Sequence, residues 1–283
     1  MRPIKVLIEV TNRCNLARPI CHTGRGLLTR EKRDLSLVEY LHILSQVSAR
    51  KILLYNQGEP FLNVDICEMI AATNKMGIKT SISTNGMLLT PEMNRKIVDS
   101  KLSCLTISLD GFDQATLEMY RKKADFSQLI ENIRDIVSLP RETKIEIQFV
   151  IMKHNRHQLD KVRKFAEDLG VVFVAKTVGI DVNDPDFQEL AEKYVPEDKS
   201  DSRYVRTEKG IISKSERKMS CKLLDREVVI LSNGDIVPCC YDFHSDYVMG
   251  NVFKENFEAI WFSEKFQRFR ENVHQCKMCA TCP

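Results

Sequence analysis

Between residues 4 and 176, apolar β-branched runs alternate with segments of helical period, and this alternation restricts the fold more than any other feature. Residues 4–10 read as a strand, and so do 51–55, 78–83, 103–109, 145–151 and 171–176. Ser36-Leu-Val-Glu39 has the spacing of a capping box, and Leu37, Leu41 and Leu44 give the helix it opens one apolar face. Further helices are expected over 64–76, from Thr90-Pro91 onward, over 127–139 and over 158–169, with Gly77 and Gly170 as C-terminal stops. Parallel strands need long crossovers, and helices supply them. The fold class is therefore α/β. Right-handed crossovers allow a partial (β/α)6 TIM-like barrel whose working face lies at the carboxyl ends of the strands. An open doubly wound sheet has the same periodicity.

Residues 181–220 are polar, carry Pro185 and Pro196, and read as a linker with one short helix near 187–194. At Cys221 the texture changes. Residues 227–231, Ser232-Asn-Gly-Asp235 and 236–237 read as a hairpin with an Asn-Gly turn. Two short helices are expected after it, the second capped by Ser263. The division is thus a core over 1–180, a linker over 181–220 and a small cysteine-rich domain over 221–283.

The balance of 42 basic and 39 acidic residues, a net +3, argues against nucleic acid or an anionic membrane as partner. No apolar run reaches the length of a membrane span, and the amino terminus lacks a signal-peptide pattern, so the expected location is the cytoplasm. Ten cysteines in such a setting point to metal rather than to disulfides. Cys67 and Cys104 read as small apolar core residues. Cys221, Cys239, Cys276, Cys279 and Cys282 can converge through the hairpin and the terminal loop. Their soft sulfur ligands suit zinc or an iron–sulfur cluster, and spacing leaves both open. The side chain of Cys240 is expected to point away from that of its neighbour Cys239.

A second group follows the first strand: Thr11-Asn-Arg-Cys14-Asn-Leu-Ala-Arg18-Pro-Ile-Cys21-His22. This segment resembles the cluster loop of the radical SAM superfamily, Cys-x3-Cys-x2-Cys, with Cys14 and Cys21 at its first and third positions. Gln57-Gly58-Glu59-Pro60 resembles that family's Gly-Gly-Glu-Pro turn. Ser83-Thr-Asn85-Gly86 resembles its ribose-contacting segment, and Ser108-Leu-Asp110-Gly111 a further landmark. The C-terminal part, with Cys221-x12-Gly234-x4-Cys239, Gly250-Asn251-Val252 and Ile260-Trp261, resembles the SPASM/Twitch extension.

The resemblance implies a 4Fe-4S cluster that binds S-adenosyl-L-methionine (SAM) and yields a 5′-deoxyadenosyl radical able to take a hydrogen atom. It implies an auxiliary 4Fe-4S cluster on Cys221, Cys239, Cys276 and Cys279, with Cys282 as alternate for either of the last two. It assigns SAM contacts to Gly58, Glu59, Ser83, Asn85 and Asp110, although Asp110 reads equally as a turn cap. A flavodoxin- or ferredoxin-type reductant is implied too. The middle cysteine position, however, is Arg18. A guanidinium stays protonated and has no lone pair for iron, so two thiolates remain unless His22 supplies a third ligand. Asp242 reads as a solvated loop acid. His154, His157, His244 and His274 read as surface residues, and Tyr120-Arg-Lys-Lys123 as a solvated basic turn.

The expected function is hydrogen abstraction from a small, sugar-like molecule, with oxidation or another modification as the outcome. The alternatives are maturation of a peptide, an iron–sulfur scaffold or electron carrier that has lost radical chemistry at Arg18, and a zinc-stabilised binding module. No appended leader-peptide-binding segment is evident, which favours the small molecule.

Overall fold

The computed structural model describes residues 3–214 and 220–282. Six strands and their crossover helices form the core: β1 (Lys5–Ile8), α1 (Leu37–Gln46), β2 (Lys51–Leu53), α2 (Ile66–Lys75), β3 (Lys79–Thr84), α3 (Pro91–Asp99) and β4 (Cys104–Ser108). Two helices, α4 (Gln114–Tyr120) and α5 (Phe126–Ser138), precede β5 (Lys144–Ile151), and α6 (Leu159–Asp168) leads to β6 (Val172–Thr177). β1 to β6 are paired in parallel in chain order, the order of a partial (β/α)6 barrel and not the reversing order of a doubly wound sheet. The core lies between sheet and helices, where Ile8, Ile52, Ile82, Ile107 and Ile147 are fully buried.

The expected capping box is formed. Ser36 accepts from the Glu39 backbone N–H, and the Glu39 side chain accepts from the Ser36 backbone N–H. Thr90 caps α3 with Pro91 in its first turn. After β6 the linker contains α7 (Phe187–Tyr194), as expected, and also an antiparallel hairpin, β7 (Tyr204–Thr207) and β8 (Gly210–Ser213), that the sequence reading does not contain.

The C-terminal hairpin does not fold as a sheet of its own. β9 (Glu227–Ile230) lies parallel to β1, with β10 (Asp235–Val237) and β11 (Gly250–Asn251) beyond it, so nine strands run in one sheet. Lys5 pairs with Glu227 at 2.5 Å across the junction. Glu9, fully buried, accepts from both terminal nitrogens of Arg30 and from the Ser232 hydroxyl at 3.0 Å. The helices α8 (Phe257–Trp261) and α9 (Glu264–Glu271) cover the hairpin with Phe257, Ile260, Trp261 and Phe266. Among the described residues no helix is long and apolar enough to cross a membrane.

Candidate active site

The carboxyl ends of β1, β2 and β3 bring three loops together. Gly58 holds φ at +87°, and a Cβ there would lie 2.5 Å from the Thr11 carbonyl oxygen and 2.7 Å from that of Arg13. Only glycine lets the β2 turn come so close to the cysteine loop. The next residue, Glu59, donates its backbone N–H to the Arg13 carbonyl at 2.8 Å. Its side chain is 2% exposed and accepts from the Thr84 hydroxyl at 2.7 Å and the Asn85 N–H at 2.8 Å. Burial raises the Glu59 carboxyl above its ordinary value against the pull of those donors. Asn85 in turn donates to Asn15 beside Cys14. Gly58, Glu59 and Asn85 therefore brace the first cysteine loop. Ser83 is half-buried inside β3.

Asp110 is engaged by the chain itself. It is fully buried, with one oxygen accepting from the Val150 N–H and the other paired with Arg121 at 2.7 Å. Arg121 is likewise buried and is no solvated turn residue, because its partner is Asp110.

Arg18 occupies the middle of the cysteine loop. Its guanidinium lies 3.3 Å from the Cys21 sulfur. Burial would raise the Cys21 thiol, but the Arg18 charge and the N–H groups of Thr23 and Gly24 outweigh it, and the thiol stands below its ordinary value. Cys14 keeps a raised thiol, chiefly through burial. His22 turns to the C-terminal segment instead, with its ring 4.3 Å from Phe243 and 5.0 Å from His244.

At the other end of the chain, Cys221, Cys239, Cys279 and Cys282 line one apolar hollow with Leu224, Val273 and Met278. The hollow encloses about 20 Å³, near the room of one water, so the four thiols and not the empty space carry its chemistry. Cys276 does not line it. Its thiol sits against Cys279 and the Tyr247 hydroxyl. Cys240 is exposed, and its thiol meets that of Cys239 instead of pointing away. Among the described residues no group of three or more His, Cys, Asp or Glu side chains is placed to hold a single metal ion.

Between these two thiol groups lies a cavity of about 570 Å³. Cys21, Arg18 and Gln57 reach it from the barrel mouth, and Cys282 and Met278 from the terminal loop. Tyr204, Tyr241 and Asp181 line it as well. His244 also faces it, and Asp242 is buried beside it, its oxygens accepting from the Asp246 and Tyr247 N–H groups; neither is the surface residue the sequence suggests. His154 is half-buried against Tyr194. Asp181, Tyr204 and Tyr241 carry no motif, and nothing local in the sequence marks them.

Residues 8–169 match the radical SAM superfamily, and residues 221–283 match an iron-sulfur cluster-binding domain, SPASM. The chain belongs to the radical SAM superfamily. It is 26% identical to the mycofactocin maturase MftC of Mycolicibacterium smegmatis, over 99% of this chain and 75% of that protein. It is 23% identical to an AdoMet-dependent heme synthase of Methanosarcina barkeri, over 99% and 88%. Among solved structures, BtrN in complex with AdoMet and 2-DOIA aligns with TM-score 0.62 and 16% identity, over 99% of this chain and 92% of BtrN. Streptococcus suis SuiB bound to precursor peptide SuiA aligns with TM-score 0.69 and 19% identity, over 99% and 71%.

Membership of this radical SAM enzyme family, with a SPASM domain, implies SAM and 4Fe-4S clusters as cofactors. The four thiols of the C-terminal hollow are a donor set suited to such a cluster. The Gly58 turn closes on the Thr11 and Arg13 carbonyls, so it sets the position of the first cysteine loop. The first loop does not fit in the same way, because it presents two thiols and a guanidinium that offers iron no lone pair.

Proposed function

We propose that this chain is a SAM-dependent iron–sulfur oxidoreductase that modifies a small, sugar-like molecule held in the cavity between barrel mouth and terminal loop. The observation that carries the reading is that one cavity touches both thiol groups, at Cys21 and at Cys282. Its volume of about 570 Å³ falls in the range of small-molecule sites. In this family SAM supplies a hydrogen-abstracting radical when bound at a reduced cluster. The chain's own part is to hold the substrate, keep water out and place a C–H bond at the barrel mouth. We assign the auxiliary cluster to Cys221, Cys239, Cys279 and Cys282, with Cys276 set behind Cys279, and electrons to a flavodoxin- or ferredoxin-type donor. Maturation of a peptide is the alternative substrate class, supported by the likeness to MftC.

A second reading rests on Arg18. Its guanidinium pairs with Cys21 where a third thiolate would stand, which favours an electron carrier or scaffold around the C-terminal cluster alone. Anaerobic reconstitution separates the two. About eight irons and 5′-deoxyadenosine on reduction support the enzyme. About four irons, with a second cluster and 5′-deoxyadenosine gained only in Arg18→Cys, support the carrier. Zinc without sulfide removes both.

A further inference from the structure

The end of the sheet away from the barrel mouth carries a row of bases. Lys5, Lys51 and Lys79 are register partners on β1, β2 and β3, so their side chains share one face at intervals of about 5 Å. Two residues further on, Leu7 and Leu53 pack with Val229 and not with the main core under the helices, so the lysines also face away from the helices. Lys5 is paired with Glu227, and Lys144 takes the nearby Glu146. Among the described residues Lys51, Lys79, Arg50 and Arg226 have no ion partner. Arg50, Lys79 and Arg226 are exposed. Like charges held side by side on neighbouring strands repel one another, so the fold itself gains nothing from the row.

The row continues onto the C-terminal segment. The Arg226 carbonyl accepts from the Ile4 and Lys5 N–H groups at 2.8 and 3.0 Å. Arg226 also lines an outer groove of about 530 Å³ with Lys222, Asp225, Trp261, Phe262 and Arg270. Asp225 is the one acid of that groove, and the Arg270 guanidinium stands over the Trp261 and Phe266 rings. Phe262 is 44% exposed and Leu223, beside Lys222, 55%, so apolar surface lies among the bases. Thiols reach the same end. Cys221 precedes Lys222 and lines the C-terminal hollow. β10 runs antiparallel to β9 and delivers Cys239 and Cys240 to the Glu227 end, where both lie in the field of Glu227 and Cys240 also in that of Lys5.

We propose that the surface formed by Lys51, Lys79, Arg226, Lys222 and Phe262 docks an acidic electron-transfer protein, the flavodoxin- or ferredoxin-type donor, at the end of the sheet opposite the barrel mouth. The inference rests on the reading that such a donor serves this chain. Charge complementarity selects an acidic partner, and the exposed apolar side chains among the bases suit a protein face, whereas a phosphate polymer would use the bases alone. The partner is brought to the end that carries Cys221 and Cys239, and a contact of this size fits a small, transient complex.

The test is calorimetric titration of the anaerobically reconstituted full chain with a flavodoxin carrying oxidised FMN and, separately, with a two-iron ferredoxin. We expect at least one of them to bind, with Kd rising about tenfold between about 20 and about 200 mM NaCl. Lys79→Glu and Lys222→Glu, both at exposed positions, are each expected to weaken binding about fivefold at the lower salt, and together about twentyfold. Lys122→Glu, exposed where the Lys122 carbonyl meets the Ala17 N–H of the cysteine loop, is expected to change Kd by less than about twofold. Binding of neither protein at about 1 mM, an affinity indifferent to salt, or an equal loss in Lys122→Glu overturns the proposal. So does a single-stranded oligonucleotide that binds as tightly and loses as much in Lys79→Glu and Lys222→Glu, because the row then receives phosphate. Iron content and 5′-deoxyadenosine are read separately. A chain that forms no 5′-deoxyadenosine but keeps donor binding sensitive to Lys79→Glu leaves the docking surface standing and removes the enzyme reading alone. A chain that forms 5′-deoxyadenosine and binds the donor equally well in both floor variants removes the docking surface alone.

Discussion

Gly58 and Glu59 show how two adjacent residues set the geometry of the barrel mouth. An alanine at 58 would need a strained positive φ and would press on two carbonyl oxygens of the cysteine loop. Gly58→Ala is expected to cost at least about 2 kcal/mol, read as a fall in the urea midpoint at constant slope, with SAM binding lost in parallel. The Glu59 prediction concerns pH. Its folded-state carboxyl titrates above the ordinary 4.5, mainly through burial. The native chain then holds its proton more tightly than the unfolded chain, so ionisation disfavours folding as pH rises from about 4.5 through the folded value. Denaturant titration at pH 4 and pH 8 is expected to show Glu59→Gln gaining on the wild type as pH rises. A difference that does not change with pH would place Glu59 in a solvated site.

At the scale of elements, local chemistry was legible and long-range assembly was not. The capping box at Ser36 and Glu39 is visible because its partners are three residues apart, and Ser36→Ala is expected to cost about 1 kcal/mol in thermal or urea unfolding. The motifs at Cys14, Gly58 and Asn85 are readable for the same reason, since each is a short run at a strand end. By contrast, α4 has seven residues, too few for a period, and β7 carries Arg206 and Thr207, both exposed, where apolar alternation would mark a strand. Arg121 looked solvated because it sits in a run of bases, but tertiary packing sets it against Asp110. That buried pair ties α4 to β4 and β5. Arg121→Met alone strands a charge and is expected to cost about 3–5 kcal/mol. The double variant Arg121→Met/Asp110→Asn should recover part of that, measured by a double-mutant cycle. The even spacing of Cys276, Cys279 and Cys282 gives sequence no means to choose among them. In the fold Cys279 and Cys282 line the hollow and Cys276 does not.

Across the whole molecule, the decisive feature is that the cysteine-rich segment completes the barrel sheet instead of hanging from it. Without β9, strand β1 would be an open edge carrying Val6 and Ile8, apolar and fully buried in the native chain. Such an edge invites pairing with other chains. The parallel register Lys5↔Glu227 to Ile8↔Ile230 removes it, and the Glu9–Ser232 contact continues the seam to the barrel mouth. The two thiol groups are thus carried by one sheet, and the cavity between them inherits its rigidity. This arrangement makes β1 and β9 open together, because each protects the other's backbone N–H groups. Hydrogen exchange of the intact chain should give the amides of Lys5 and Glu9, which donate to the Arg226 and Ile230 carbonyls, the same opening free energy as the β9 amides that face β1, within about 1 kcal/mol. Fast exchange confined to β9 would mean that the C-terminal segment detaches while the barrel stays folded. The distance between Cys21 and Cys282, and with it the shape of the cavity, would then vary on that timescale instead of being set by the sheet.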